Sequence, residues 1–440
     1  MPGCNPAQRA AARPACRRGR RGSVPGVQGI IEGFYGEPWS WDERRSVCRE
    51  LAAAGMDTYV YAPKDDPLHR ERWREPYDEP FLRDLSELVD DGTLRVGFAV
   101  SPGLSMDPAS HGDRSALMAK LEQVVDRGVT LVGLLLDDLP PADGLGAAHG
   151  HLTQWLRDAL PAEVELFMTP LHYTGTVATP YLEQLAPLVP EDVPIAWTGM
   201  HVVNDTITVA QAEAWADVMD GRRPLLWDNT PVNDMIMSDR LFLGPLRGRD
   251  TELPNHLDGY LANPMVQAAA SLPPPRSAAA WLAGGDPLAA WKDAIGDAAV
   301  LAEACEPHDL HALCDRAIAG DGRATAELDD FLARAGDCGD GGLGPAVRPW
   351  VRQVRTEAGV ARLALQALTA DLDEARRITP ILLVTWPPLR GAEVSVFGGR
   401  GAMRPVLGQD AASEWTAAPA AWAPSRSIVD RLVTAAFARL

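Results

Sequence analysis

A chain of 440 residues, 46% hydrophobic and 23% charged, has material for a large core and no run of about 18 uninterrupted apolar residues to span a membrane. Its formal net charge of −19 argues against nucleic acid or an anionic membrane surface as its partner. The six cysteines (4, 16, 48, 305, 314 and 338) lack framework spacing, and the N-terminal arginines have no apolar segment behind them; both point to a reduced, cytoplasmic setting.

Residues 1–25 hold Arg9, Arg13, Arg17, Arg18, Arg20 and Arg21 with no acid, and read as a disordered tail. A rhythm then begins. Short apolar runs end in Gly, Pro, Asn or Asp, at Val27–Ile31, Thr58–Tyr61, Val96–Val100, Leu131–Leu136, Glu165–Met168, Ile195–Trp197, Leu225–Trp227 and Gly259–Leu261. The nearly continuous apolar run at 131–136 suits a strand buried on both faces. Amphipathic stretches fill the gaps. Ser40-Trp-Asp-Glu43 has the pattern of a capping box, and Ser115–Arg127, His149–Leu160 and Thr208–Met219 read as further helices. Eight strands alternating with helices predict an α/β fold, a (β/α)8 TIM-type barrel over 26–290. An open doubly wound sheet is the alternative, disfavoured by the lack of Gly-x-Gly-x-x-Gly after a strand.

The barrel is followed by a smaller, mainly helical C-terminal region over 291–378. Helices are expected at 287–304, 308–319, 323–334 and 345–377, and this region is where a homodimer contact is expected. Residues 379–440 have no assignable fold beyond one strand at Ile381–Thr385 and a final helix near 427–439.

Chemistry in such a barrel sits at the carboxyl ends of the strands. Those ends are polar and aromatic, and with no Cys/His cluster they suit a neutral, polyhydroxylated ligand such as a sugar. The sharpest feature is Asp137-Asp138, directly after the apolar strand. Adjacent strand residues face opposite ways, so both acids reach one ligand only if the chain turns there. Like charges held close would leave one carboxylate ionised and the other able to hold a proton near neutral pH. A helix cap or a Mg²⁺ site using Asp143 are the competing readings. Lysine occurs only at Lys64, Lys120 and Lys292 in an arginine-rich chain, so Lys64 at a strand end hints at a need for ammonium. Trp227-Asp228-Asn229 offers a ring wall and an amide, and Tyr35 and Tyr173 read as rim aromatics. Cys305, His308, His311 and Cys314 would fan around one helix and fail to converge on a metal. No metal and no cofactor are expected.

In order along 25–270, Ile30-Ile-Glu-Gly-Phe-Tyr-Gly36, Tyr61-Ala-Pro-Lys-Asp-Asp66, Ser101-Pro-Gly103, Leu136-Asp-Asp138, Trp197-Thr-Gly199, Trp227-Asp-Asn229, Leu241-Phe-Leu-Gly-Pro245 and Asn263-Pro264 resemble glycoside hydrolase family 84. These are β-N-acetylglucosaminidases of the O-GlcNAcase and bacterial hyaluronidase type. The resemblance implies a (β/α)8 barrel and a retaining exo-hydrolase in which the substrate's own 2-acetamido oxygen attacks C1, forming an oxazoline. It implies that Asp137 orients the acetamido N–H and that Asp138 is the general acid and base. Asn229 and Tyr173 would seat the acetamido group. Gly33 through its backbone, Lys64, Asp234 and Asn263 would hold the sugar hydroxyls, beside the Trp227 ring. The implied partner is a GlcNAc-containing glycan or glycoprotein. A barrel that binds GlcNAc without turnover is the alternative. Met235 departs from the family pattern, which often has an aromatic there.

Overall fold

A computed structural model describes residues 26–389, 392–398, 407–409, 415–417 and 427–439. The Arg-rich segment 1–25, with Cys4 and Cys16, lies outside the described residues. Eight parallel strands follow the apolar runs: β1 (Gln28–Glu32), β2 (Thr58–Tyr61), β3 (Arg95–Val100), β4 (Leu131–Leu135), β5 (Glu165–Thr169), β6 (Ala196–Trp197), β7 (Leu225–Asp228) and β8 (Gly259–Ala262). Their order is β5-β4-β3-β2-β1-β8-β7-β6, and a parallel bridge from Met168 to Ile195 brings the two edges together. The sheet is thus a barrel, not the open doubly wound alternative.

Alternation along each strand makes two cores. Val27, Ile31, Val60, Ala99, Leu131, Leu135, Phe167, Leu225 and Leu261 fill the barrel interior. Ile30, Tyr59, Phe98, Leu134 and Tyr260 face the helices. A Cβ at Gly133 would fall 2.5 Å from Phe167 Cζ, so glycine there makes room for that ring.

The helices between the strands are α1 (Trp41–Ala53), α2 (Glu79–Asp90), α3 (His111–Val125), α4 (Leu145–Ala159), α5 (Pro180–Leu185) and α6 (Val209–Val218); β7 and β8 are joined through short 3-10 turns, and α7 (Pro273–Leu282) follows β8. Ser40 and Glu43 form the reciprocal capping box, and Thr208 with Gln211 forms a second. Two starts differ from the sequence reading. α3 begins at His111, because Ser110 and not Ser115 accepts the capping bond, from Asp113 N. α4 begins at Leu145 and not His149, after Gly144 at φ +72°.

The C-terminal region holds α8 (Pro287–Ile295), α9 (Ala299–Cys305), α10 (His308–Ile318), α11 (Gly322–Asp337), α12 (Arg348–Thr369), α13 (Leu372–Leu389) and α14 (Ile428–Ala438). The single helix expected over 287–304 is broken at Gly296, where φ is +47°. The helix expected over 345–377 is two helices, parted at Ala370 and Asp371. The strand expected at Ile381–Thr385 lies inside α13. There Thr385 Oγ1 donates to Ile381 O, and burial recurs at Ile378 and Leu382 with helical spacing, so packing on α12 and α14 overrides the β-propensity of a short apolar run. Cys305 and His308 do not share a helix: α9 ends at Cys305 and α10 starts at His308. Strands β9 (Leu407–Gln409) and β10 (Trp415–Ala417) pair antiparallel. The helices dock on the barrel through the Leu241–Pro245 segment. Gly244 N donates to Glu306, at 2.6 Å, and Trp291 Nε1 to Leu243 O, also at 2.6 Å. No helix among the described residues is long and apolar enough to cross a membrane.

Candidate active site

The inward-facing positions of the strands continue past the barrel core by one step. Two residues beyond Ile31, Ala62, Ala99, Leu135, Phe167, Ala196, Trp227 and Leu261 of the inner core come Gly33, Lys64, Ser101, Asp137, Thr169, Thr198, Asn229 and Asn263. The strand period of two therefore sets a mostly polar ring on top of an apolar plug. All of these except Ser101 line one cleft of about 650 Å³, together with Tyr35, Arg70, Asp138, Tyr173, Trp227 and Asp234. Gly33, Lys64, Asp137, Asp138, Tyr173, Trp227, Asn229, Asp234 and Asn263, the residues to which the resemblance gives a catalytic or sugar-binding role, thus all line the same space. Asp143, which a divalent-cation reading would need beside the acid pair, is not among the lining residues.

Asp138 would by alternation point outward, as Leu136 does. Its backbone instead adopts φ +55°, a left-handed turn that returns its side chain to the mouth. That conformation costs a non-glycine residue about 1–2 kcal/mol and is held here by side-chain bonds. Tyr173 donates to Asp138 Oδ1 at 3.0 Å, and Tyr35 donates to Oδ2 at 2.9 Å. Arg70 donates to the Tyr35 hydroxyl at 2.6 Å and approaches Asp138 Oδ2 at 3.9 Å. Burial, then the charge of Asp138, pushes the Tyr35 and Tyr173 phenols well above their usual range, so both remain protonated donors.

Asp137 is built differently. Lys64 Nζ donates to its Oδ2 at 2.6 Å, and both side chains are buried. Its Oδ1 is buried with no hydrogen-bond partner, as is Thr169 Oγ1. The acid pair is accordingly not two bare like charges, as the sequence suggested, since each carboxylate has its own cation. Those cations come from the segment after β2, which the sequence cannot bring to β4.

The far wall is an amide chain. Trp227 Nε1 donates to Asn229 Oδ1 at 3.1 Å, Asn263 Nδ2 donates to the same oxygen at 2.9 Å, and Gly33 N donates to Asn263 Oδ1 at 3.2 Å. Asn229 Nδ2 in turn donates to Val202 O at 2.7 Å. Asp234 accepts from Tyr35 N at 2.8 Å, and burial raises its carboxyl above the usual range. The rim is apolar: Met235, at φ +49°, and Ile236 are exposed beside Leu104.

Arg70 and the donor role of Tyr35 were missed in the sequence. Arg70 lies in an irregular stretch with no periodicity, and its partners are far away along the chain. The segment is nonetheless fixed. Asp66 accepts from Tyr61 at 2.7 Å, Tyr77 at 2.6 Å and Leu68 N at 2.8 Å. His69 Nδ1 bonds Ala99 O at 2.9 Å, and Lys120 Nζ donates to Leu68 O at 3.0 Å. Lys120, the second rare lysine, thus supports the loop that presents Lys64 and Arg70. Burial lowers its ammonium to about 8.

Fold and site together define a (β/α)8 protein with a carboxylate-based cleft at the carboxyl ends of its strands. Residues 28–312 match the family model described as beta-N-acetylglucosaminidase. The chain belongs to this family of glycoside hydrolases. It is 33% identical over 271 residues to the protein O-GlcNAcases of Rattus norvegicus and Mus musculus, a match spanning 58% of this chain and 29% of each relative. An O-GlcNAc hydrolase mutant of Thermobaculum terrenum has a similar structure, with a TM-score of 0.77 and 25% identity over 85% of this chain and 92% of that one.

Proposed function

We propose that the chain hydrolyses terminal β-linked GlcNAc from a glycan or glycoprotein, as an exo-acting, retaining enzyme whose substrate supplies the nucleophile. The observation that carries this reading is the asymmetry of the acid pair. Asp137 offers a buried, unpartnered Oδ1 beside a lysine-paired Oδ2, while Asp138 sits at the rim between two phenols.

In the first step the acetamido oxygen attacks C1 as the bond from C1 to the aglycone oxygen breaks. Asp138 gives that oxygen its proton. Asp137 Oδ1 accepts the acetamido N–H, and its negative charge stabilises the positive oxazolinium as it forms. Lys64 supports the anionic form of Asp137 and has two further N–H donors for a sugar hydroxyl. In the second step water attacks C1, Asp138 takes its proton, and the oxazoline opens. A neighbouring amide has the high effective molarity that makes an enzyme nucleophile unnecessary. Asn229 and Tyr173 would seat the acetamido group against Trp227. Asp234, Asn263 and the Gly33 backbone would hold the ring hydroxyls.

Aryl glycosides with mono-, di- and trifluoroacetamido groups test the reading. Fluorine weakens the amide oxygen as a nucleophile, so kcat/KM is expected to fall steeply along the series. A flat series would overturn participation by the acetamide.

A further inference from the structure

We infer that Arg70 is a positioning residue that sets the pH range over which Asp138 can act as an acid, an inference that rests on the function proposed above. A guanidinium has donors and no acceptor. The Tyr35 hydroxyl, 2.6 Å from Arg70 Nη1, must therefore accept from it, which turns the one phenolic proton toward Asp138 Oδ2, 2.9 Å away. A tyrosine without that neighbour could point either way. Arg70 acts on Asp138 twice more. Its Nη1 is 3.9 Å from Oδ2, and its Nη2 lies 3.4 Å from Asp138 O, on the turn held at φ +55°. It is also one of the better-anchored arginines, 8% exposed, with its backbone fixed through the His69 and Asp66 contacts.

The consequence is electrostatic. A partly buried cation about 4 Å from a carboxylate favours the ionised form. The other groups facing Asp138 are Tyr35 and Tyr173 as donors, Asp137 with its own cation Lys64, and Asp234 across the mouth. Asp137 and Asp234 favour protonation of Asp138, and Arg70 opposes them. The arginine thereby keeps the acid strong enough to give up its proton to an alkoxide-like leaving group, and ready to take one from water in the second step.

The test is the pH profile of kcat/KM on methyl β-N-acetylglucosaminide, whose leaving group needs an acid, beside a 2,4-dinitrophenyl glycoside, which does not. In Arg70→Met the alkaline limb on the methyl glycoside is expected to move up by about one pH unit, with no such movement on the dinitrophenyl substrate. Arg70→Gln keeps donors without the charge and should move the limb the same way, and Arg70→Lys should return it toward the parent position. Thermal melts establish that each variant is folded. A fall in kcat/KM of equal size at every pH, with the limb unmoved in folded Arg70→Met or Arg70→Gln, would overturn the inference. Failure of the unmodified enzyme to cleave either substrate would instead overturn the proposed function, and the role of Arg70 with it.

Discussion

Lys64 Nζ lies 2.6 Å from Asp137 Oδ2, and both side chains are buried at the base of the cleft. The pair joins the loop after β2 to the end of β4, and it leaves Asp137 Oδ1 buried without a hydrogen-bond partner, an acceptor open to a ligand.

Removing one partner of such a pair strands the other. Lys64→Met is expected to cost about 3–5 kcal/mol of stability at neutral pH, because a buried carboxylate loses its cation. Lys64→Arg should not restore activity, since a planar guanidinium cannot occupy the site of a compact ammonium. Chemical denaturation and kcat/KM on one aryl substrate measure both effects. Unchanged stability in Lys64→Met would contradict the burial argument.

The two acids should separate by leaving group. Asp138→Asn is expected to lose about 10²–10⁴-fold on substrates with poor leaving groups and far less on activated aryl glycosides, where protonation is dispensable. Asp137→Asn should be slow on every substrate. Equal losses on both classes in Asp138→Asn would remove it as the acid, and a mild effect of Asp137→Asn would remove it as the partner of the acetamide.

Gly33 has no room for a side chain. A Cβ there would stand 2.5 Å from Trp227 Cζ2 and 3.5 Å from Asn263 Oδ1. Gly33→Ala should therefore push the indole out of line and lower kcat/KM by about 10²-fold, the cost of a displacement near 1 Å in a positioned site. Steady-state kinetics and a melt distinguish this from unfolding. Near-parental kinetics would mean the Trp227 ring can yield.

Two buried groups away from the cleft give opposing pH dependences. His149 bonds the Tyr181 hydroxyl at 2.8 Å, and burial lowers its pKa to about 4. Between about pH 6.5 and 4 the unfolded chain holds more protons there than the folded one, so stability falls as pH falls through that window, by up to about 3 kcal/mol. Glu357 is pushed up to about 7 by burial. The unfolded chain releases that proton first, so stability falls as pH rises from about 4.5 to 7. Denaturation curves should show His149→Gln flattening the acid side and Glu357→Gln flattening the neutral side. A parental slope in either variant would contradict its assignment.

Much of this was legible from local pattern. The eight apolar runs locate the strands because a strand buried on both faces must be apolar throughout, and Ser40 with Glu43 marks a helix start because the capping box is a local device. The cleft residues were legible for a related reason, since a strand period of two carries Leu135 to Asp137 and Leu261 to Asn263. What escaped depends on distant partners or on backbone conformation. Tyr35 meets Asp138 across 103 residues, and the φ of Asp138 leaves no mark on composition. Ile381–Thr385 misled because a five-residue apolar run has no period of its own, and only its packing on α12 and α14 makes it helical.

The most direct test of the account compares an aryl β-N-acetylglucosaminide with the matching aryl β-glucoside, which lacks the 2-acetamido group. Cleavage of the first with no detectable turnover of the second is the predicted result, because without the amide there is no nucleophile at C1. Comparable cleavage of both would contradict it, since a carboxylate or water would then have to do what the account assigns to the substrate.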